Sequence, residues 1–243
     1  MFKKSLLVIA ALILVLGVAS VSLGAPAFKI GVVTGTVSQG EDEYRGAEFV
    51  VAKYPGMIEH RTYPDNFMAE QETYIAQITS LAADPAIKAI VINQGVPGTV
   101  AAIRKVKQLR PDILFVIGEP HEDPPVIDPV ADLSLIPNNP ARGQSIPQLA
   151  KKMGAKAFLH YSFPRHMSYA DLAARRDIME QECKKLGMQF VFVNAPDPTG
   201  EGGLPAAQQF ILEDVPRQVA KYGKDIAFFS TNCGMQEPLI TAV

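Results

Sequence analysis

I-K-A-I-V-I-N-Q-G-V-P-G-T, residues 87–99, holds the decision between fold classes. Apart from Lys88 its first six residues are apolar, and a strand that is apolar on both alternating faces has to be covered on both sides. Asn93 and Gln94 end the run, Gly95, Pro97 and Gly98 turn the chain, and a helical segment follows. Further short β-rich runs lie at 28–34, 57–62, 112–118, 131–136, 155–160, 188–194 and 225–231, with helical segments between most of them. This alternation predicts an α/β chain of parallel sheets flanked by helices, with right-handed crossovers.

The punctuation predicts where helices stop and start. Asp84-Pro85 ends a helix that begins near Phe67, and Gly154 ends one running over 147–153. Ser168 is expected to cap the next helix while Asp171 reaches back, and Gly187 to close it. Seven of the nineteen prolines fall within residues 119–147, so rigid, polar chain separates two lobes there. The expected division is a first lobe over 28–130, a crossing over 131–143 and a second lobe over 144–243.

At the N-terminus, M-F-K-K precedes a long apolar run and then Ala25-Pro26-Ala27, the pattern of a cleaved secretory signal over 1–27. The competing reading is an uncleaved membrane anchor, because no charge falls between Lys4 and Lys29. Export predicts a periplasmic or extracellular location. The formal charge of −2 becomes −4 once Lys3 and Lys4 are removed, and no basic run suits a phosphate backbone, so no nucleic acid partner is expected. Cys183 and Cys233 could pair in an exported chain, but Cys183 falls on an apolar helical stripe and both read as free thiols.

Several stretches carry a resemblance: K-I-G-V-V-T-G-T with Q-G-E-D-E-Y-R-G-A-E-F, the turn of residues 87–99, N-N-P-A-R-G, and H-Y-S-F-P-R-H-M-S-Y with A-A-R-R-D-I-M. A-P-D-P, K-Y-G-K-D-I-A-F-F-S-T-N and E-P-L-I complete it. In this order they resemble the type I periplasmic solute-binding-protein superfamily, and within it an uncharacterised bacterial family of unknown function. The resemblance covers residue 28 to the last residue. It implies a two-lobed fold that closes on a small solute, without catalysis or cofactor, and an ABC-type permease as partner, so that membrane contact comes through a transporter or an uncleaved anchor. It also implies further second-lobe residues and a return to the first lobe, so the second lobe reads as partial at T-A-V.

In a parallel sheet, ligands gather at the carboxyl ends of strands. The candidates there are Thr34, Thr36, Ser38 and Gln39, then Asn93 and Gln94, then Glu119 and His121. The second lobe offers His160, Tyr161, Ser162, Arg165 and His166, then Asn194 and Asp197, then Thr231 and Asn232. Arg165 and His166 sit by a helix start, which favours an anionic group, while the alternative for Arg165 is pairing with an acid such as Asp171. Tyr44, Tyr161 and Phe163 offer stacking faces, and the absence of Trp favours a small polar or anionic solute over a sugar. His160 and His166 also raise a metal site, with His121, Glu122 and Asp123 as further ligands, yet their spacing lacks the i, i+4 geometry of a helical zinc motif. Ser162 beside two histidines is the one nucleophile candidate, but no G-x-S-x-G elbow and no P-loop occurs. A ligand-sensing exported module that feeds a receptor is the other reading of the same fold.

Overall fold

The computed structural model describes residues 27–243, so the expected signal of residues 1–27 lies, but for its last residue, outside the described residues. The chain alternates strand and helix: β1 (Lys29–Thr34), α1 (Val37–Lys53), β2 (Ile58–Thr62), α2 (Gln71–Ala83), β3 (Ile87–Ile92), α3 (Thr99–Leu109), β4 (Leu114–Gly118), a short α4 (Pro124–Ile127) and β5 (Leu133–Leu135). It continues with α5 (Asn139–Lys152), β6 (Ala157–Ser162), a short α6 (Pro164–Met167), α7 (Ala170–Lys185), β7 (Gln189–Asn194), α8 (Gly203–Tyr222), β8 (Ile226–Ser230), a 3₁₀ turn (Cys233–Met235) and α9 (Gln236–Ala242).

Two parallel sheets result, one of order β2-β1-β3-β4-β5 and one of order β7-β6-β8. β3 shows why the opening stretch decides the fold. Ile87, Ile90 and Ile92 are fully buried beneath Ile78 and Leu81 of α2 and Ile103 of α3. The turn after it needs glycine twice. A Cβ on Gly95 would lie 2.6 Å from Ile117 and 3.1 Å from the Pro120 backbone, and Gly98 starts α3 at φ 104. β6 is buried along its whole length. Leu159 and Tyr161 pack towards Ala207, Ile211 and Val215 of α8, while Phe158 on the other face meets Ala150, Met179 and Cys183. Each such large apolar side chain contributes about 2 kcal/mol by leaving water.

The run read as a strand at 131–136 is β5, which pairs with β4 and extends the first sheet to Leu135. Two sequence expectations change. The helix expected over 147–153 begins at Asn139, with Pro140 in its first turn and Pro147 inside it. Asn138 caps it, accepting from the Ala141 amide at 3.0 Å, and Pro147 costs one rung of the ladder without breaking the helix. Ser168 does not cap α7. Its hydroxyl donates to the Arg165 carbonyl at 2.6 Å, and the helix starts at Ala170. Gly187 does close that helix, in the left-handed region at φ 66. Cys183 and Cys233 are both free, and among the described residues no helix is long and apolar enough to cross a membrane.

Candidate functional site

The loops at the carboxyl ends of the two sheets meet. His121, after β4, stands with its ring centroid 6.3 Å from that of His166 on α6 and 5.6 Å from that of Tyr169, just before α7. Phe67, from the loop after β2, lies under the Arg165 guanidinium at 5.6 Å, and Phe163 stands 5.1 Å from it on its own lobe. Glu119, held at φ 39 as it leaves the first sheet, approaches Arg142 of α5 at 3.8 Å. The 3₁₀ turn brings Gly234 so near the Ser38 carbonyl that a Cβ there would sit 3.3 Å from it.

Within the seam, charges are mostly neutralised internally. Arg165 donates Nε and Nη2 to the two oxygens of Asp197 at 2.8 and 2.9 Å. Burial alone would raise the Asp197 carboxyl, but its bonds from Arg165 and the Thr199 amide hold it below the usual range. Two residues expected to greet a solute are therefore turned on each other, with Asp197 taking the place expected for Asp171. His166 Nδ1 is 3.1 Å from the Thr231 hydroxyl, which shares a 3.0 Å hydrogen bond with Ser162. Burial, Arg165 and His121 all push the His166 ring far down. His121 falls to about 4, from burial first and Arg165 second, and its Nδ1 has no partner among the described residues. Both rings are neutral at ordinary pH.

On the first-lobe side, Gln94 donates to Glu43 at 2.7 Å and accepts from the Tyr63 hydroxyl at 3.3 Å. Burial raises the Glu43 carboxyl, with the Gln94 bond opposing, and Oε2 of Glu43 lacks a partner among the described residues. Burial together with Glu43, Asp42 and Glu119 pushes the Cys233 thiol up to about 12. Asn93 is anchored through its amide to Val33 at 2.9 Å, and Asn232 accepts from the Gly234 amide at 2.9 Å to cap the 3₁₀ turn.

Other expected residues lie elsewhere. His160 has 0% of its surface exposed and stands among Phe190, Phe192 and Phe229, on the face of β6 covered by α7. Both its ring nitrogens are unpartnered among the described residues, and burial takes it down to about 3. Tyr161 points the opposite way and donates to Asp214 at 3.0 Å. Thr34 shares a 2.8 Å contact with His60 and donates to the Gly35 carbonyl. Thr36 and Gln39 both bind Asp65, and Asn194 ends its strand exposed. Among the described residues no three His, Cys, Asp or Glu side chains are grouped to hold a metal, and His160 and His166 do not converge. Of two surface cavities, one of about 340 Å³ beside His60 is lined by Tyr44 but by none of the expected polar ligand contacts, and one of about 470 Å³ between α2 and α3 is lined by none of the expected solute-binding residues.

Phe67, Tyr169, Glu43, Arg142 and Arg175 belong to the seam or its edge but were not singled out from the sequence. Phe67 and Tyr169 sit in loops outside any periodic run, and Arg175 is one residue in a helix with alternating arginines and acids. The E-D-E run at 41–43, immediately after the first turn, is a signal that could have marked Glu43.

Comparison with known proteins places this geometry. The chain is 38% identical over 180 residues to an uncharacterized protein of Treponema pallidum, covering 71% of this chain and 81% of that one. A crystal structure from Clostridium difficile 630, named as a candidate transcriptional regulator, is 32% identical with a TM-score of 0.60 over 88% of this chain. This chain spans 63% of the length of that one. An ABC sugar transporter subunit from Rhodobacter sphaeroides 2.4.1 aligns over 90% of this chain and 74% of its own, with a TM-score of 0.55 at 15% identity. That likeness shows the fold, which is the periplasmic-binding-protein-like α/β architecture expected from the sequence. With residues 28–243 matching the family described as "Protein of unknown function (DUF3798)", the chain belongs to that family.

Proposed function

We propose that this protein is an exported, non-catalytic solute-binding protein in which two α/β lobes close on a small polar or anionic molecule and present the closed form to a membrane permease. The observation that carries the reading is the meeting of the two sets of strand-end loops, His121 and Phe67 from one sheet against His166, Tyr169 and Arg165 from the other. Ligands in parallel sheets bind at this end of the strands. A solute that touches both lobes stabilises the closed arrangement over the open one, which is the mechanism of hinge closure. The fold shared with an ABC sugar transporter subunit supports the transport partner. The neutral histidines and the internally paired Arg165 favour binding over chemistry.

A thermal-shift screen of purified protein against amino acids, nucleosides, sugars and organic acids tests it. One class should raise the melting temperature by several degrees, about 4 °C or more at a hundredfold excess over Kd. A folded protein that no class stabilises would sink the proposal. A second reading, a sensing module that passes its closed state to another exported partner, draws on the 32% identical structure named as a candidate transcriptional regulator.

A further inference from the structure

Arg142 and Arg175 converge on one neutral oxygen. Arg175 Nη1 donates to Asn139 Oδ1 at 2.9 Å, and Arg142 Nη1 lies 3.5 Å from the same atom. The Asn139 amide donates in turn to Asp171 at 2.6 Å, so that carboxylate serves the asparagine. Arg142 has Glu119 at 3.8 Å across the seam. Arg175 has no carboxylate within ion-pair distance among the described residues, and its Nε is buried without any partner there. Only 3% of its surface is exposed, with the guanidinium stacked 5.2 Å from Phe229. A buried guanidinium whose one acceptor is an amide is an incomplete arrangement, because burying a charge unpaired is costly.

Resting on the solute-binding reading, we infer that Arg175, with the more exposed Arg142 beside it, is the subsite for a carboxylate carried by the solute. Arg175 Nε and its neighbouring edge meet the carboxylate oxygens, and Asn139 holds both guanidiniums in place. The surrounding charge favours a single negative charge over a phosphate dianion, since Glu119 and Asp171 already stand nearby. Burial, followed by Arg142, lowers Arg175 to about 10, the direction of a cation lacking an anionic partner. Arg165, the guanidinium that the sequence brings forward, is by contrast already saturated by Asp197.

The test measures affinities, by calorimetry on the purified protein, for matched pairs: glucuronate and glucose, lactate and propane-1,2-diol, phenylacetate and 2-phenylethanol, with glucose 6-phosphate as the dianion. In at least one pair the acid should bind about tenfold or more tighter than its neutral partner, and Arg175→Gln should remove that advantage. Arg142→Gln, at a half-exposed position that keeps the fold, should weaken the acid about threefold. If Arg175→Gln does not fold, Arg142→Gln carries the test, and unchanged acid affinity in it overturns the inference. Neutral members binding as well as acids, or glucose 6-phosphate outbinding glucuronate, would also overturn the inference and leave the solute-binding reading standing. No binding by any member to folded protein would overturn the inference, and the solute-binding reading falls with it only if the broader thermal-shift screen also finds no stabilising class.

Discussion

His121 and His166 confront one another across the seam, and neither ring is hydrogen-bonded to a carboxylate among the described residues. His121 also faces Arg165, Asp171 and Tyr169, and His166 faces Arg165, Asp197 and Arg175, so the cations outweigh the acids around both. In an opened or unfolded chain each imidazole returns to about 6.5. The folded value of His121 is depressed to about 4, so below pH 6.5 the unfolded chain takes up the proton first. Stability from the neutral ring is therefore complete above pH 6.5 and is lost as pH falls towards 4. For His121 alone this amounts to roughly 2–3 kcal/mol. Urea denaturation at pH 7 and pH 4.5 should show a smaller acid loss in His121→Gln than in the wild type. Because His160 titrates in both proteins, the difference between them reports His121 together with its effect on the neighbouring His166, and parallel losses would refute this account.

The elements that place Arg175 are α5 and α7, which approach closely because residue 143 is glycine. A Cβ there would lie 2.8 Å from Ile178 Cβ and 3.0 Å from the Arg175 carbonyl, so neither neighbour can give way at its tip. Gly143→Ala should force the helices apart, cost about 1–3 kcal/mol, and displace the Arg175 guanidinium. An unchanged urea midpoint would contradict it. Elements were legible where periodicity spoke: residues 87–93, apolar on both faces, became β3, and the weaker run at 131–136 still became β5. Boundaries failed where local signals had two meanings. Pro147 reads as a helix start but lies in mid-helix, because α5 packs along α7 over most of its length and that burial outweighs one missing rung. Ser168 reads as a cap, yet its hydroxyl turns back to the Arg165 carbonyl and closes the preceding turn.

At the scale of the whole molecule, strand ends were enough to find the seam but not its occupants. His121, Arg165, His166 and Asp197 come together because strand-end loops of parallel sheets share one side. His160 and Tyr161 fall away because side chains of β6 alternate between two covered faces, and neither face opens to the seam. Phe67, Tyr169 and Arg175 depend on how one lobe packs against the other, which no local pattern records. On the proposed function, a small solute is held by both lobes at once. Hydrogen exchange of the protein with and without a solute that stabilises it tests this most directly. The predicted result is added protection in the loop carrying His121 and, together with it, in residues 163–169 of the other lobe. Protection confined to one lobe, or located at the cavities beside His60 or between α2 and α3, would contradict it.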